Sequence, residues 1–446
     1  MTDREPTLAG WGNLPVPGHE LLSEDLPAIT RGAVLSRGMG RSYGDSSLPP
    51  PGRREVVGTR LADRILAWDP ATGVLRAEAG FTLWEFNRLF LRRGWFISAT
   101  PGTQFVSMGG MVAADVHGKG HHWYGGFGAH LRALRLRVAD GTILDCGPAH
   151  EPELFWATVG GMGLTGVIEE ATFRARPIAS SRISVLAERT RNLDESIARL
   201  IELDQTAEYT VAWVDLAATG ARAGRSVITS GRFAQPDELP KRWVGSPFAY
   251  DPGLPIDVPV TPPPIVLNPL SIRAFNEAWF RKAPRRPKEM ISSIPGFFHP
   301  LDLVGSWNRI YGPKGFLQWQ CVVPDSATDV LAGIMRQFTR TGGRSFLTVL
   351  KRFGPANEAP LSFPLAGWTL TVDVPVGDPD LPRLLDRFDE QVAEVGGRIY
   401  LAKDARMRPE LLAAMYPRLA EWQEVRASVD PHGLIRSDLS ERLGLS

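Results

Sequence analysis

The residues best suited to chemistry are glycines, which cluster in three short segments within the first 180 positions. The first segment runs from Gly38 to Asp45 and reads GMGRSYGD. Glycine permits a backbone in which consecutive N–H groups converge on one phosphate oxygen. Short glycine turns are common without any such role, so this segment by itself favours an ordinary tight turn.

Two further segments change that interpretation. One begins at Pro101-Gly102-Thr103 and continues through residues 106–122, where small residues recur and glycine is too frequent for a stable helix interior. This pattern indicates backbone packed closely against a flat ligand. The other, residues 160–168, leads glycines into an apolar strand. Three such segments in one region are hard to explain as turns.

The spacing of the first segment excludes a Rossmann dinucleotide fold. That fold requires G-x-G-x-x-G between a strand and a helix. Here Gly38 and Gly40 are followed by Tyr43 where the third glycine belongs, and no helix-forming run follows.

The elements around these segments are short strands and helices. Residues 31–44 predict a strand entering the glycine turn, and GVLRAEAG predicts a second strand that ends at Gly80. A helix is expected next, and residues 131–146 predict a hairpin turning at Asp140-Gly141. Thr82 and Glu85 form a capping box at the start of this helix, and Gly94 is expected to end it. The apolar stripe consists of Leu83, Phe86, Leu89 and Phe90.

The stretch from 181 to 397 has a different pattern. Strand-like runs and helical stretches near 193–203 and 327–341 predict an antiparallel sheet with helices on one face, so the fold class is α+β. Residues 252–288 are rich in proline and end in five basic residues, which predicts an irregular, mobile loop or lid. The alternative for its basic end, from Arg281 to Lys288, is a docking site for phosphate or an anionic membrane.

Composition narrows the function classes. A chain of 446 residues is long enough for two domains, and a net charge of +1 provides no global field for nucleic acid. Cys146 and Cys321 lie too far apart to indicate a disulfide framework or a zinc site. The first 20 residues lack a secretory signal, so cytoplasmic synthesis is expected. No apolar run is long enough to span a bilayer, which leaves peripheral contact with a membrane.

The three glycine segments resemble the FAD-binding domain of the vanillyl-alcohol-oxidase, or PCMH-type, flavoproteins. Within this superfamily the chain is most similar to the decaprenylphosphoryl-β-D-ribose 2′-oxidases, through FFHPLD, WNRIYGPKGFLQWQ, FGPANEAPLSFP, IYLAKDAR and MYPRLAEW. The resemblance implies an FAD-binding domain at 1–180, a substrate-binding domain at 181–397, and a C-terminal segment at 398–446 that completes the FAD domain.

The resemblance also implies which residues hold the cofactor. Relatives that bind flavin covalently carry a histidine where this chain has Arg41, so non-covalent FAD is expected. The cofactor-binding positions carried over are Gly38, Met39, Gly40, Arg41, Ser42, Tyr43, Pro101, Gly102, Thr103, Gly109, Gly110, Ala113, Asp115, His117, Gly118, Gly163, Val167 and Tyr400.

The resemblance assigns catalysis to Lys403. Its amine or ammonium can stabilise the developing oxyanion and the charge on reduced flavin. Tyr43 and His117 are candidates to orient the substrate hydroxyl or relay its proton, although a lone histidine is more often structural. The substrate-binding positions carried over are Lys119, Tyr311, Gln318, Gln320, Lys351 and Lys403.

The implied reaction is FAD-dependent oxidation of the 2′-hydroxyl of a polyprenyl-phosphoryl-β-D-ribofuranose to the 2′-keto sugar. It is the first half of an epimerisation to the arabinofuranose donor for cell-envelope glycan synthesis, and an NADH-dependent short-chain reductase would complete it. Thr369 and Thr371 replace an asparagine and a cysteine of the mycobacterial enzymes, which leaves the substrate open. The alternatives are an FAD-dependent alditol or aldonolactone oxidase that uses oxygen, and a non-catalytic, membrane-associated binding subunit.

Overall fold

The computed structural model describes residues 5–32, 34–253, 256–258, 261–262, 267–340 and 345–445. The strands, numbered in chain order, are β1 Thr7–Ala9, β2 Pro15–Pro17, β3 His19–Leu22, β4 Ser36–Arg37, β5 Glu55–Gly58, β6 Ile65–Asp69, β7 Val74–Glu78, β8 Trp95–Phe96, β9 Leu131–Arg137, β10 Ile143–Cys146, β11 Val167–Arg174, β12 Arg176–Pro177, β13 Arg182–Thr190, β14 Tyr209–Val214, β15 Ser226–Phe233, β16 Ile256–Asp257, β17 Lys288–Ser293, β18 Val304–Gly305, β19 Phe316–Pro324, β20 Thr348–Phe353, β21 Gly367–Pro375 and β22 Arg398–Ile399.

The helices are numbered in the same way. They are α1 Leu26–Ile29, α2 Leu83–Phe90, α3 Met108–Ala113, α4 His121–Tyr124, α5 Pro152–Thr158, α6 Leu193–Asp204, α7 Lys241–Val244, α8 Pro269–Lys282, α9 Ile294–Phe298, α10 Thr328–Arg340, α11 Leu381–Glu394, α12 Leu412–Met415, α13 Leu419–Val429 and α14 Asp438–Arg442. No helix in the described ranges is both long and apolar enough to cross a membrane.

The two largest sheets of the first part of the chain, together with the later elements, confirm the α+β class. A three-stranded parallel sheet has the order β3-β5-β4, and a five-stranded antiparallel sheet has the order β10-β9-β11-β7-β6. The predicted hairpin is β9 and β10, which turn through Gly141 at a φ of 88°. Helix α3 packs against β7 and β11, which places the second glycine segment on the five-stranded sheet.

Helix α2 confirms the predicted capping box and corrects one residue of its stripe. Thr82 accepts from the Glu85 amide, the Glu85 carboxylate accepts from the Thr82 amide, and Gly94 ends the following 3₁₀ turn. Leu89 was expected on the buried stripe but is 40% exposed, whereas Asn87 is fully buried. Asn87 can be buried because its side-chain amide donates a hydrogen bond to the side chain of Gln104.

The second part builds one eight-stranded antiparallel sheet in the order β17-β13-β15-β14-β20-β21-β19-β22. Apolar and polar side chains alternate along its strands. Trp319 and Cys321 on β19, with Leu370 and Val372 on β21, belong to an apolar core shared with α6, α10 and α11. The opposite face of the same strands is polar, so helices cover one face, as predicted, and leave the other for a site.

Residues 252–288 were expected to be irregular, and this prediction was wrong over 14 of them, which form α8. Asn268 accepts from the amides of Leu270 and Ser271, and Pro269 occupies the first helical turn. An N-cap asparagine followed by proline is a helix start, and the abundance of proline around it concealed that signal. Residues 254–255, 259–260 and 263–266 of this stretch, like Thr341, lie outside the described residues.

The C-terminal segment returns to the first part of the chain. Strand β22 pairs with β19 at the edge of the eight-stranded sheet. Beyond it, α13 packs on α5, and the Trp422 indole donates to the Ala157 carbonyl at 2.9 Å. The predicted division at 180 and 397 remains a prediction.

Candidate active site

The site is centred where the first glycine segment meets residues 400–404. The Tyr43 amide donates to the Ala402 carbonyl at 3.0 Å. Next to it, a Cβ added to Gly44 would overlap the Asp404 carbonyl, so only glycine fits. The Lys403 ammonium nitrogen lies 3.6 Å from the centroid of the Tyr43 ring. Two segments about 360 positions apart therefore form one junction.

Arg442 holds this junction from the C-terminal helix. Its guanidinium binds both oxygens of Asp45, at 2.8 and 3.0 Å, and lies 2.9 Å from the Asp404 carboxylate. Burial raises the pKa of Asp45 to about 6, and the hydrogen bond from Arg442 opposes this rise. Because each carboxylate flanks one of the two segments, Arg442 fixes the distance between the glycine loop and Lys403.

The three glycine segments adjoin one another. Gly38 lies against Ser107 so closely that a Cβ would overlap its hydroxyl. The Gly160 amide donates to the Val112 carbonyl at 3.0 Å, and the Met162 amide donates to the Ala113 carbonyl at 2.9 Å. The prediction that these segments belong together is confirmed by their contacts.

Four consecutive backbone amides of the first segment have no described protein partner. Within the described chain, the amides of Met39, Gly40, Arg41 and Ser42 donate to no protein acceptor. Gly40 has a φ of 61°, a left-handed conformation that bends successive N–H groups toward one side. These four residues are half-buried, and a run of unpaired amides turned to one side is a set of donors that suits an anionic ligand such as a pyrophosphate. Gly102 lies in open space, which leaves room for that ligand.

Several predicted cofactor positions have packing roles. A Cβ at Gly109 would press on Ala79, and one at Gly118 would overlap the Thr100 carbonyl. The Asp115 carboxylate is occupied by protein donors, which are the Gly128 amide at 2.8 Å, Asn357 at 2.6 Å and Ser362 at 2.5 Å. Val167 lies in a buried apolar cluster. These residues shape the backbone around the segments.

Other predicted positions face free space or the loop itself. Among described residues that are not neighbours in the chain or helix, a Cβ on Gly110 would meet the Ser107 hydroxyl and one on Gly163, which has a φ of 77°, would meet the Ser36 hydroxyl. The Arg41 guanidinium stacks 4.5 Å from the Trp11 ring and donates to the Met39 carbonyl at 2.7 Å. Arg41 is thus held at the loop by the Trp11 ring and a carbonyl of the loop itself, and non-covalent attachment of FAD stays a prediction.

His117 and Tyr400 lie in a buried cluster of rings. The ring centroids are 5.0 Å apart, and Tyr400 stacks on Phe363 at 4.6 Å. The Tyr400 hydroxyl donates to the Ala114 carbonyl at 2.9 Å. Burial lowers the pKa of His117 well below its ordinary value, so the imidazole is neutral, and its Nδ1 has no described partner. A neutral imidazole with one free nitrogen can hydrogen-bond a ligand.

Lysine is scarce in this chain, since only seven of its 50 basic residues are lysines. Three of the seven meet at the site and are partly buried, namely Lys119, Lys351 and Lys403. The Lys119 ammonium donates to the Phe297 carbonyl, whereas no described group accepts from Lys351 or Lys403. Unlike arginine, lysine releases its proton readily when buried. The presence of lysines rather than arginines at the site therefore indicates amines that titrate.

The pKa of each amine is lowered toward neutrality. Burial lowers the pKa of Lys119 to about 7 and that of Lys351 to about 8. Burial also lowers the pKa of Lys403 to about 7, with Lys351 adding to the shift and Asp373 opposing it. Near neutral pH the Lys403 amine can therefore accept or release a proton.

The polar face of the eight-stranded sheet forms the opposite wall. Tyr311 and Gln318 donate to Asp373 at 2.8 and 2.6 Å. Gln320 lies 3.1 Å from the Thr369 hydroxyl and 3.0 Å from the His117 imidazole, which links the sheet to the second glycine segment. The pairing of β19 with β21 places Thr371 on this same face. Hydroxyl and amide groups at this spacing suit a sugar.

Three residues of the site were not identified from the sequence. Asp373 had a signal, because Thr369, Thr371 and Asp373 alternate with apolar neighbours along β21. Arg442 had none, since it contacts Asp45 across 397 positions. Asp302 ends the FFHPLD motif that carried the family resemblance, but no role was inferred for it. Its carboxylate accepts from the Gln104 amide at 2.8 Å and so joins the substrate side to the second glycine segment.

Comparisons with known proteins agree with this geometry. A family model described as an FAD binding domain matches residues 28–147, and one described as D-arabinono-1,4-lactone oxidase matches residues 349–443. A decaprenylphosphoryl-beta-D-ribose oxidase of Mycolicibacterium smegmatis is 38% identical over 98% of this chain and 97% of its own length.

Two other relatives cover different shares of the chain. An uncharacterised protein of Streptomyces coelicolor is 40% identical over 82% of this chain and 100% of its own length. The L-gulonolactone oxidase of Mus musculus is 28% identical, over 31% of this chain and 32% of its own length. The similarity to lactone oxidases is therefore partial and more distant.

Proposed function

The chain belongs to the decaprenylphosphoryl-β-D-ribose oxidase family of FAD-dependent oxidoreductases, and we propose that it oxidises the 2′-hydroxyl of a polyprenyl-phosphoryl-β-D-ribofuranose to the 2′-keto sugar. The fold is accordingly the two-domain α+β fold of PCMH-type flavoproteins, and the cofactor is FAD. The observation that carries the proposal is the position of Lys403, between the open amides of the glycine loop and the polar face of the sheet.

The residues present fit FAD. The free amides from Met39 to Ser42 and the open space at Gly102 would hold the pyrophosphate. The rings of His117 and Tyr400 would flank the flat end of the cofactor. When bound, FAD accepts the hydride that the alcohol carbon loses.

The protein's own part is to hold the sugar and move one proton. The alcohol carbon gives up a hydride, and its hydroxyl proton passes to the neutral Lys403 amine. The ammonium formed lies over the Tyr43 ring, which stabilises a cation, and it balances the negative charge that the hydride brings. Gln320 and neutral His117 hold the sugar hydroxyls.

The substrate assignment is tested by anaerobic titration of the holoenzyme. Polyprenyl-phosphoryl ribose is expected to bleach the flavin, whereas free alditols and aldonolactones leave it oxidised. The matched control is the polyprenyl-phosphoryl arabinose epimer, whose 2′-hydroxyl lies on the other face of the ring. Rapid bleaching and hydrogen peroxide formation with free alditols would instead establish the oxygen-using oxidase.

The keto product requires a second protein. Returning a hydride from the opposite face gives the arabinose epimer, and the reductant for this step is NADH on a short-chain reductase. That reductase is the functional partner in the proposal.

A lipid-linked substrate also calls for a place beside the membrane, and α8 supplies the surface. Leu270, Phe275 and Trp279 on this helix are 77%, 46% and 43% exposed. The helix ends in Arg281 and Lys282, and three more basic residues follow by position 288. Aromatic side chains beside basic ones suit the interface of an anionic bilayer.

A path of rings connects this surface with the site. Phe275 lies 5.7 Å from Phe346, which stacks 5.2 Å from Tyr311. Tyr311 in turn stacks 3.9 Å from Phe316, which contacts Tyr43 at 5.5 Å. Because Tyr311 and Phe316 are buried, an apolar chain attached to the sugar would lie against the outer rings of this path, Phe275 and Phe346, while the sugar reaches toward Lys403.

Vesicle flotation tests the surface. The holoenzyme is expected to float with vesicles that contain phosphatidylglycerol and to be released as salt rises. The double substitution Phe275→Ser and Trp279→Ser should abolish flotation, whereas Ile143→Ser and Ile201→Ser, at residues about 40% exposed elsewhere, should leave it intact. Flotation of the α8 variant at wild-type level would show that α8 is not the docking surface.

A further inference from the structure

Asp373 is a buried carboxylate that the proposed reaction does not use. It is 0% exposed, and both of its oxygens accept from neutral donors, the Tyr311 hydroxyl and the Gln318 amide. Burying a carboxylate is costly unless it is well hydrogen-bonded or paired with a cation. Within the described chain, no cation lies within ion-pair distance of Asp373, and the cation that acts on it is Lys403. Its position on a strand of the site wall therefore points to a role at Lys403.

The side chains bonded to Asp373 lead to Lys403. Tyr311 stacks on Phe316 at 3.9 Å with an 11° interplanar angle, and Phe316 meets Tyr43 edge-on at 5.5 Å. Gln318, the other donor, also acts on the Tyr43 phenol, because it opposes the rise that burial causes in the pKa of Tyr43. Because the Lys403 nitrogen lies over the Tyr43 ring, both routes end beneath the same amine.

We propose that Asp373 is a positioning residue that, through Tyr311, Gln318 and Tyr43, fixes the place and the protonation state of the Lys403 amine. This inference rests on the proposed function for its kinetic consequences, but the effect on Lys403 exists without substrate. Asp373 supplies the negative charge that opposes the effect of the Lys351 ammonium on this amine.

The charges around Lys403 give the direction of the effect. From β20, Lys351 repels the ammonium; from β21, Asp373 attracts it. His117 from the second glycine segment is neutral, and the pKa of Tyr43 is raised by burial, so its phenol is uncharged. Burial raises the pKa of Asp373 to about 7, which is the range in which Lys403 titrates, so the two groups titrate as a pair. Where Asp373 is ionised it raises the pKa of Lys403, and removing its charge lowers that pKa, so the reactive amine form persists to lower pH.

The test compares Asp373→Asn with Asp389→Asn in the holoenzyme. Asp389 is an apt control because it is also 0% exposed and accepts from two donors, Trp319 and Arg406, both at 2.8 Å. Lysine is labelled with ¹³C, and the Lys403 resonance is assigned by its absence from Lys403→Arg. With seven lysines in the chain, the spectrum is simple enough to follow through a pH titration.

In Asp373→Asn the midpoint of the Lys403 titration is expected to fall by about one pH unit, and in Asp389→Asn it should not move. With substrate, the acid limb of the pH profile of flavin reduction should shift to lower pH by the same amount. Its plateau should fall severalfold because the amine is a weaker base, with KM unchanged. If Asp373→Asn fails to fold, Tyr311→Phe removes one donor from Asp373 and should move the midpoint in the same direction by less.

An unchanged Lys403 midpoint in Asp373→Asn would overturn the inference, and so would a lower rate with an unmoved pH profile, which is the mark of a purely structural residue. A shifted midpoint in an enzyme that does not oxidise polyprenyl-phosphoryl ribose would overturn the proposed substrate and leave the inference about Lys403 standing.

Discussion

Replacing Lys403 with alanine is expected to leave FAD bound and to slow flavin reduction by roughly 10²–10⁴-fold, the usual contribution of a positioned acid–base group. FAD should remain because Lys403 provides none of the open loop amides that fit a pyrophosphate. The rate should fall because the hydroxyl proton loses its acceptor and the negative charge gained with the hydride loses its counter-ion. Stopped-flow absorbance at the flavin band measures both flavin content and rate.

Lys403→Arg separates the two parts of this role. Arginine keeps the positive charge but does not release its proton under any working condition. If the amine accepts the hydroxyl proton, the arginine variant should be about as slow as the alanine variant. Lys314→Ala is the control, since this lysine is exposed and should react at the wild-type rate. Full turnover by Lys403→Ala would contradict the assignment of Lys403.

Local signals in the sequence were enough to predict several elements. The capping box of α2 and the Asp140-Gly141 hairpin each depend on residues within a few positions, and both are confirmed. Helix α8 depended on equally local signals, Asn268 and Pro269, but the proline-rich surroundings outweighed them. Such errors arise where propensities conflict, and neighbours in space then decide.

The site itself needed more than local signals. The glycine segments showed open backbone, but nothing in their spacing shows that Tyr43 bonds to Ala402 or that Arg442 reaches Asp45. Those contacts join residues about 360 and 397 positions apart, and only the closed fold brings them together. Polar alternation on β21 could have indicated Asp373, because a strand covered on one face by helices has its polar residues on the other.

Gly44→Ala is the substitution expected to damage the junction itself. The new methyl group would overlap the Asp404 carbonyl oxygen, so one backbone segment must move. Overpacking of this kind costs about 1–3 kcal/mol, and more when backbone rather than a side chain has to shift. Since the adjacent Tyr43 amide bonds to Ala402, this movement separates the glycine loop from Lys403. The variant should therefore melt at lower temperature and be purified with less than half of the wild-type flavin.

The control for Gly44→Ala is Gly333→Ala in α10, where no described atom beyond the adjacent residues and the helix backbone lies within 4 Å of the added methyl group. Alanine in a helix interior is favoured over glycine by about 1 kcal/mol, so this variant should melt at or above the wild-type temperature and keep its flavin. Flavin content is measured after acid release, and stability by thermal unfolding. A Gly44→Ala protein with full flavin and an unchanged rate of reduction would mean that the loop can leave Asp404 without disturbing Lys403. The close contact at Gly44 would then be packing alone, and the position of the amine would depend on Arg442 and the Tyr43 ring.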